Sequence, residues 1–244
     1  RPVFVIGNFR TGTTVLFNSL VASPRHATSF RTWQIYAAPT ISQRKLMRLG
    51  KWMDARLFGG IAARILDYVD RNMLRQIPLH PIRMHGPEED AGLFLYAWSG
   101  FFTWFLFPSR TLGTKFLDFD SLPARYRRRF VRYYREMVQR HLYDESRGGL
   151  RPLPTFVSKN PSYSGMIQTL LEEFPDARFI HASREYHPML RSTLRWFQYW
   201  AVSVGDRRGA VRRDIVTEMT KHWDSYPRRV FAQNPGVPWS AASL

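Results

Sequence analysis

The sequence contains no cysteine, which excludes a disulfide framework, a thiolate metal site and a cysteine nucleophile. Acidic residues are also scarce: 19 aspartates and glutamates stand against 36 lysines and arginines, giving a formal net charge of +17. No apolar run reaches the ~20 residues that a membrane-spanning helix needs. The printed residues open at Arg1, without an initiator methionine or a recognisable signal peptide, and run straight into an apolar stretch. We therefore expect a piece of a longer chain, in which a targeting or membrane segment could precede Arg1.

These totals predict the broad class of the protein. A length of 244 residues and an apolar content of 44% predict one folded domain. We expect this domain to be truncated at one or both ends, since the first residue is not methionine. The positive charge favours anionic partners: nucleotide phosphates, sulfated products, anionic lipid surfaces or nucleic acid. A genome-wide preference for arginine would give the same balance without any functional meaning. The compartment is undetermined; cytoplasm, with or without contact to a membrane, is the default expectation.

A glycine-containing loop follows the first apolar stretch. Residues 3–6 read as a strand buried on both faces, and Gly7 and Gly12 follow it five residues apart. Thr13 and Thr14 then open an apolar helical segment over residues 15–21. Backbone N–H groups and the positive end of the helix dipole converge in such a turn, which predicts an anion-binding loop.

The charge in this loop separates it from nucleotide-hydrolase loops. Their pattern is G-x-x-x-x-G-K-[ST], but Thr13 stands where the lysine should be and the positive charge lies inside the loop, as Arg10. The sequence R-T-G-T-T after an apolar strand resembles the 5′-phosphosulfate loop of sulfotransferases, which bind 3′-phosphoadenosine-5′-phosphosulfate (PAPS). The resemblance implies that Arg10, Thr11, Gly12, Thr13 and Thr14 contact this donor.

The middle of the chain predicts a helical insertion over about residues 42–145. Apolar residues at spacings of three and four over 42–76 predict two helices, broken at Gly59-Gly60, that pack on the domain or act as a lid. Residues 93–107 carry no charge and predict a buried helix; an aromatic wall of an acceptor pocket or a lipid-contacting surface are alternatives. Seven arginines over 123–143 could suggest nucleic-acid binding, but an apolar stripe favours an amphipathic helix with a solvated basic face.

The second half predicts alternating strands and helices. Strands are expected at 155–158 and 177–183, and helices at 162–174 and from His187 to about residue 204. Residues 233–244 read as an unstructured end. The alternation predicts an α/β fold, a P-loop-like, doubly wound parallel sheet flanked by helices.

A second motif lies in this half. Lys159-Asn160-Pro161, then Phe174-Pro175-Asp176-Ala177 and Arg184, resemble the K-[ST]-P, F-P-x-A and arginine of bacterial-type sulfotransferases. In that family the arginine and a serine eight residues later bind the 3′-phosphate of PAPS, which implies this role for Arg184 and Ser192. The resemblance spans about residues 2–200 and is specific only in 3–21 and 156–194.

The resemblance implies a reaction as well as a fold. Family members transfer a sulfuryl group from PAPS to an acceptor hydroxyl or amine by in-line displacement, without a metal. Arg10 would stabilise negative charge on the leaving phosphate, and Lys159 would face the same centre. Arg10, Lys159 and Arg184 each lie at or just beyond a predicted strand end, where ligands of parallel sheets gather, so we expect them to converge.

The general base departs from the family pattern. Relatives use a glutamate, or a histidine after the K-x-P turn, and here Tyr163 occupies the histidine position. Glu88 and Glu89 are therefore the candidate bases, with Glu89 preferred. An acidic pair before an apolar run is also ordinary for the start of a helix.

Three hypotheses result. The first is a PAPS-dependent sulfotransferase acting on a lipid, phenol or glycan. The alternatives are a P-loop kinase or nucleotide hydrolase, and a basic protein that binds nucleic acid or an anionic membrane without catalysis.

The C-terminal part of the sequence also departs from the family pattern. Family chains usually continue into a basic loop that closes over the nucleotide. Here Arg207-Arg208-Gly209 comes too soon after Ser192 to be equated with that loop. The oligomeric state cannot be read from the sequence.

Overall fold

The computed structural model describes residues 1–76, 82–97, 100, 103–104, 107, 109–203 and 213–243. Five parallel strands form one sheet in the order β2-β3-β1-β4-β5. Their bounds are β1 Val3–Gly7, β2 Ala27–Thr28, β3 Thr155–Lys159, β4 Arg178–Ser183 and β5 Trp239–Ser243. The prediction of an α/β fold with a parallel sheet is confirmed. Arg207-Arg208-Gly209 lies outside the described residues.

Helices connect and flank these strands. The α-helices are α1 Thr13–Leu20, α2 Thr32–Tyr36, α3 Ile41–Leu57, α4 Ile61–Val69, α5 Arg110–Leu117, α6 Ala124–Glu145, α7 Ile167–Glu173, α8 Tyr186–Ser203 and α9 Arg213–Gln233. Three 3₁₀-helices, Asp90–Ala97, Phe119–Ser121 and Pro161–Gly165, and a π-helix, Asp70–Leu74, complete the described elements. No helix among the described residues is both long and apolar enough to span a bilayer.

Strand β1 is the centre of the sheet. Its residues Phe4, Val5 and Ile6 are fully buried, as the continuous apolar run requires of a strand covered on both faces. Phe4 packs on one face against the rings of Tyr163 and Phe179, with centroids 5.6 and 5.5 Å away. Because β1 lies between β3 and β4, the segments that follow these three strands meet at one edge of the sheet.

One prediction about secondary structure was wrong, and another is tested only in part. The end of the chain is not unstructured, because Trp239–Ser243 pairs in parallel with β4. Its Ser-Ala-Ala-Ser sequence carries almost no apolar signal, and the strand is recognised only through its partner. Residues 93–107 were predicted as one buried helix; residues 93–97 belong instead to the 3₁₀-helix Asp90–Ala97, whose first five residues are buried, and much of the remainder lies outside the described residues.

The helical insertion gives a mixed outcome. Helix α6 buries one stripe that includes Phe130, Tyr134 and Val138, so the amphipathic interpretation is confirmed. The break at Gly59-Gly60 between α3 and α4 is also present, and both glycines have positive φ angles. Helix α3 is anchored to α6 through Arg44 and Asp144, but the large apolar side chains that were expected to pack on the domain are exposed. Periodicity predicts an amphipathic face but not what covers it.

Candidate active site

The loop between β1 and α1 is built on unusual backbone geometry. Gly7 has φ 138°, and a Cβ there would lie 2.3 Å from the carbonyl oxygen of Ala182 on the neighbouring strand. Arg10 and Gly12 also have positive φ angles, 64° and 82°. Glycine is therefore required at position 7 both by φ and by the close approach of β4. These angles wrap the loop tightly around the end of β1.

Buried side chains hold this loop in place. The Gly7 amide donates to Ser164 Oγ at 3.0 Å, and Asn8 Nδ2 donates to the Thr220 carbonyl at 2.9 Å. Thr11 Oγ1 donates to the carbonyl of Asn8 at 2.7 Å, so its hydroxyl is used inside the loop. Because Asn8 and Thr11 are buried, this part of the loop is fixed before any ligand arrives.

Helix α1 starts at the end of the loop and points its N-terminus at a cavity. Gly12 is the N-cap residue, and the side chains of Thr13 and Thr14 line the cavity. The first N–H groups of a helix have no intrahelical acceptor, and the helix dipole is positive there. The start of α1 can therefore hold an anionic oxygen, as the sequence predicted.

Arg10 joins the loop to the start of α8. Its Nε donates to Ser192 Oγ at 3.1 Å, and Arg184 donates from a guanidinium nitrogen to the Arg10 carbonyl at 3.4 Å. Arg184 directly follows β4, so the strand end and the loop meet here. Two exposed guanidinium groups and a hydroxyl thus share one short stretch of surface beside the loop.

Lys159 lies on the other side of the loop, at the end of β3. Its side chain is only 2% exposed. The ammonium group donates to Thr14 Oγ1 at 3.1 Å and forms an ion pair with Glu89. A buried ammonium in this position places positive charge between the loop after β1 and a carboxylate.

Glu89 reaches Lys159 from a segment that crosses the sheet edge. Arg31 and Pro87 form an antiparallel bridge, and the Glu88 amide donates to the Phe30 carbonyl at 3.0 Å. The Glu88 carboxylate accepts the Glu89 amide at 2.9 Å. Both carboxylates line the cavity, and Glu89 is the one that contacts the lysine.

The cavity has a volume of about 720 Å³ and two unlike walls. The polar wall is formed by Arg10, Thr13, Thr14, Lys159, Glu88 and Glu89. The apolar wall includes Phe9, Phe17, Val21, Trp196 and Trp200. Phe9 stacks on Trp196 with ring centroids 5.0 Å apart. Sequence reasoning missed this wall, although two tryptophans four residues apart mark one face of the predicted helix after Arg184.

Tyr163, at the position where relatives have a histidine, does not reach the cavity. It is fully buried, and its ring packs 5.7 Å from that of Tyr134. Tyr134 and Ser158 both donate to Asp90 Oδ2, at 2.5 and 2.7 Å. Burial raises the pKa of Asp90 to about 6, with the two hydroxyls opposing that rise. This polar cluster lies in the core, away from the cavity.

The predicted site residues therefore fall into two connected groups. Arg10, Thr13, Thr14, Lys159, Glu88 and Glu89 surround the cavity, and Arg184 and Ser192 join them through Arg10. Thr11 and Gly12 shape the loop. Among the residues described, no group of three or more histidine, aspartate and glutamate side chains is placed to hold a metal ion.

Comparison with known proteins decides the family. The sequence profile described as "Sulfotransferase family" matches residues 2–238. The chain belongs to the sulfotransferase family. Sulfotransferase relatives include omega-hydroxy-beta-dihydromenaquinone-9 sulfotransferase Stf3 of Mycobacterium bovis and of Mycobacterium tuberculosis. Each is 29% identical over 198 residues, which cover 79% of this chain and 44% of the relative. Family membership disfavours the kinase or hydrolase and the non-catalytic alternatives.

Solved sulfotransferase structures share the fold. The crystal structure of STF9 from Mycobacterium avium superposes with a TM-score of 0.71 and 22% identity, covering 100% of this chain and 58% of that chain. STF1 from Mycobacterium tuberculosis H37Rv gives a TM-score of 0.65 and 20% identity, covering 99% and 62%. At these identities the likeness concerns the fold alone. The present chain spans roughly half the length of these sulfotransferases.

Proposed function

We propose that this chain, as a single sulfotransferase domain with a helical insertion, transfers a sulfuryl group from PAPS to an acceptor hydroxyl held in the cavity. One observation carries the proposal. Lys159 Nζ contacts both Thr14, in the donor-binding loop, and Glu89, at the cavity wall. A single buried ammonium thus links the place for the donor to the place for a base.

The donor would lie along the loop between β1 and α1. Thr13, Thr14 and the N–H groups at the start of α1 would hold the phosphosulfate end, together with Arg10. Arg184 and Ser192 would hold the 3′-phosphate, since a guanidinium forks onto phosphate oxygens and a hydroxyl adds a donor. Their present bonds to Arg10 support this placement, because they show that both reach the loop.

The reaction is a displacement at sulfur. The acceptor oxygen forms a bond to sulfur as the bond between sulfur and the bridging oxygen breaks, and that electron pair stays on adenosine 3′,5′-bisphosphate. Arg10 and Lys159 stabilise the negative charge that grows on the leaving group. Glu89 takes the acceptor's hydroxyl proton, and its ion pair with Lys159 holds the carboxylate in position beforehand.

The acceptor we propose is a lipid with a terminal hydroxyl group. The relatives named above are, by name, sulfotransferases of a hydroxylated dihydromenaquinone. The apolar wall of Phe9, Trp196 and Trp200 supports the same class here, since an apolar chain would bury those surfaces. A phenol or glycan acceptor would make less use of that wall.

Calorimetric titration with adenosine 3′,5′-bisphosphate in EDTA tests donor binding. We expect micromolar binding that weakens at least about tenfold in Arg10→Ala and Arg184→Ala, equal to about 1.4 kcal/mol. Arg191→Ala is the matched control, because Arg191 is an exposed arginine beside Ser192 on α8 and should leave affinity unchanged. Equal losses in all three variants, or preferential binding of Mg-ATP, would contradict the proposal.

A further inference from the structure

Residues 41–76, called the arm below, expose an unusual amount of apolar surface. The arm comprises α3, α4 and the π-helix after them. Of 23 large apolar side chains exposed among the described residues, twelve belong to this segment of 36 residues. Their exposed fractions lie between 39% and 68%. They are Leu46, Met47, Leu49, Trp52, Met53, Leu57, Phe58, Ile61, Ile65, Leu66, Tyr68 and Met73.

The buried side chains of the arm are the polar ones. Arg44, which is 1% exposed, pairs with Asp144 of α6 at 3.4 Å. Asp54 accepts the amides of Ala62 and Ala63, at 3.0 and 3.1 Å, and so caps α4. Charged anchors and caps therefore fix the shape of the arm while its apolar side chains point outward. Exposing apolar side chains while burying polar ones is unfavourable in water alone. This distribution indicates that the surface of the arm contacts a less polar environment.

Positive charge is interleaved with this apolar surface. The arm carries eight lysines and arginines against three aspartates, a net charge of +5. A basic residue directly precedes two large apolar ones at Lys45, Lys51, Arg56 and Arg64. Exposed tryptophan and tyrosine accompany them, and these amphipathic rings favour the boundary between water and lipid. Basic and apolar groups together match an anionic lipid surface, where acyl chains lie beneath negative headgroups.

Both ends of the arm are attached to the rim of the cavity. Tyr36, which lines the cavity, lies four residues before Thr40, the N-cap of α3. At the other end Asp70 accepts the amide of Met84 at 2.6 Å, and Met84 directly follows the cavity-lining Arg83. A surface bound by the arm would therefore lie next to the cavity opening.

We propose that the arm docks this protein onto the surface of an anionic membrane. A second copy of the chain is the less favoured occupant, because an isologous contact would bring two arms of charge +5 together. The arm inserts its apolar side chains at the level of the headgroups, and its lysines and arginines contact the phosphates. The inference goes beyond the proposed function and does not depend on sulfuryl transfer.

Vesicle flotation tests the proposal with the full chain. The probes are phosphatidylcholine vesicles with and without about 25% phosphatidylglycerol, in about 0.1 M NaCl. One arm variant removes apolar groups: Trp52→Ser, Leu57→Ser and Ile65→Ser. Another removes charge: Lys45→Gln, Lys51→Gln and Arg56→Gln. The matched controls carry the same changes at exposed positions outside the arm: Leu150→Ser, Leu153→Ser and Val202→Ser, or Arg128→Gln, Arg129→Gln and Arg132→Gln.

We expect the wild-type chain to float with the anionic vesicles. The apolar arm variant should partition at least about tenfold more weakly, and the charge variant about a hundredfold more weakly on anionic vesicles alone. Both controls should float like the wild type, and circular dichroism should show every variant folded. Failure of the wild type to float, or equal losses in the controls, would overturn the proposal. So would a dimer, seen by light scattering, that only the arm variants dissociate.

Discussion

The ion pair between Lys159 and Glu89 makes a prediction whose magnitude follows from burial. The side chain of Lys159 is 2% exposed and that of Glu89 is 17% exposed, so the two partners have unequal access to water. Removing one partner of a buried pair costs about 3–5 kcal/mol, because the other charge is left uncompensated. Unequal exposure therefore predicts unequal costs for the two substitutions.

Glu89→Ala should be the more damaging change. It leaves the Lys159 ammonium with Thr14 Oγ1 at 3.1 Å as its remaining described partner, and we expect a loss of about 3 kcal/mol. Lys159→Met leaves Glu89, which retains some hydration, and should cost about 1–2 kcal/mol. The double variant leaves neither charge behind. It should therefore be less destabilised than the sum of the single variants, by about 1–3 kcal/mol.

Urea unfolding followed by circular dichroism, at neutral pH, gives the four free energies of this cycle. The matched control is the pair Glu136 and Arg140 on the surface of α6, whose side chains are 46% and 40% exposed. That cycle should give a coupling of about 0.3–0.5 kcal/mol. Two results would refute the reasoning: a coupling for the cavity pair no larger than the control, or Lys159→Met costing more than Glu89→Ala.

Three further predictions concern catalysis, pH and the loop. The Glu89→Gln side chain keeps a hydrogen-bond acceptor but cannot take up a proton. We therefore expect kcat for sulfuryl transfer to fall about 10²–10⁴-fold, with the affinity for adenosine 3′,5′-bisphosphate unchanged. Undiminished turnover would exclude Glu89 as the base. Burial raises the pKa of Asp90 from 3.8 to about 6, so the folded state holds this proton up to a higher pH than the unfolded state. The wild type should therefore lose stability relative to Asp90→Asn as the pH rises. In urea titrations the difference between their unfolding free energies should fall by up to about 3 kcal/mol from about pH 4 to 7. A difference that does not change with pH would contradict this. Gly7→Ala should destabilise the fold by about 3 kcal/mol, because its Cβ would meet the Ala182 carbonyl at a strained φ. Gly50→Ala, with open space around it, should instead stabilise slightly in the same assay, and similar losses in both would be inconsistent with the clash.

The sheet could be predicted from the sequence where its strands are continuously apolar. Residues 3–6 are such a run, and they form a strand that is almost entirely buried. Residues 177–183 also contain Arg178, His181 and Ser183, and their strand was predicted from the Pro175-Asp176 turn before it and from the alternation of strands and helices. β5 could not be predicted, because its small residues are stabilised by pairing with β4 and by stacking of Trp239 on Phe231, with centroids 4.9 Å apart. The partner strand is distant in the sequence, and no local pattern encodes the pairing.

The candidate site was predictable in its residues but not in its connections. Spacing identified the loop with Arg10, and strand ends pointed to Lys159 and Arg184. Spacing did not show that Arg10 contacts Ser192, or that Trp196 faces the cavity. Those contacts depend on how α8 is placed over the loop, which is a property of tertiary packing.

Contacts in the core determine the different environments of the neighbouring residues Asp90 and Glu89. Asp90 turns inward, where Tyr134 and Ser158 donate to its carboxylate, and this anchor sets the direction of the chain just before it. Glu89 consequently faces the cavity, where Lys159 meets it from the end of β3. These unlike environments support the separate tasks that we propose for the two carboxylates, a structural one for Asp90 and proton transfer for Glu89. In the sequence the acidic residues of this segment look alike, and only the partners supplied by α6 and β3 distinguish them.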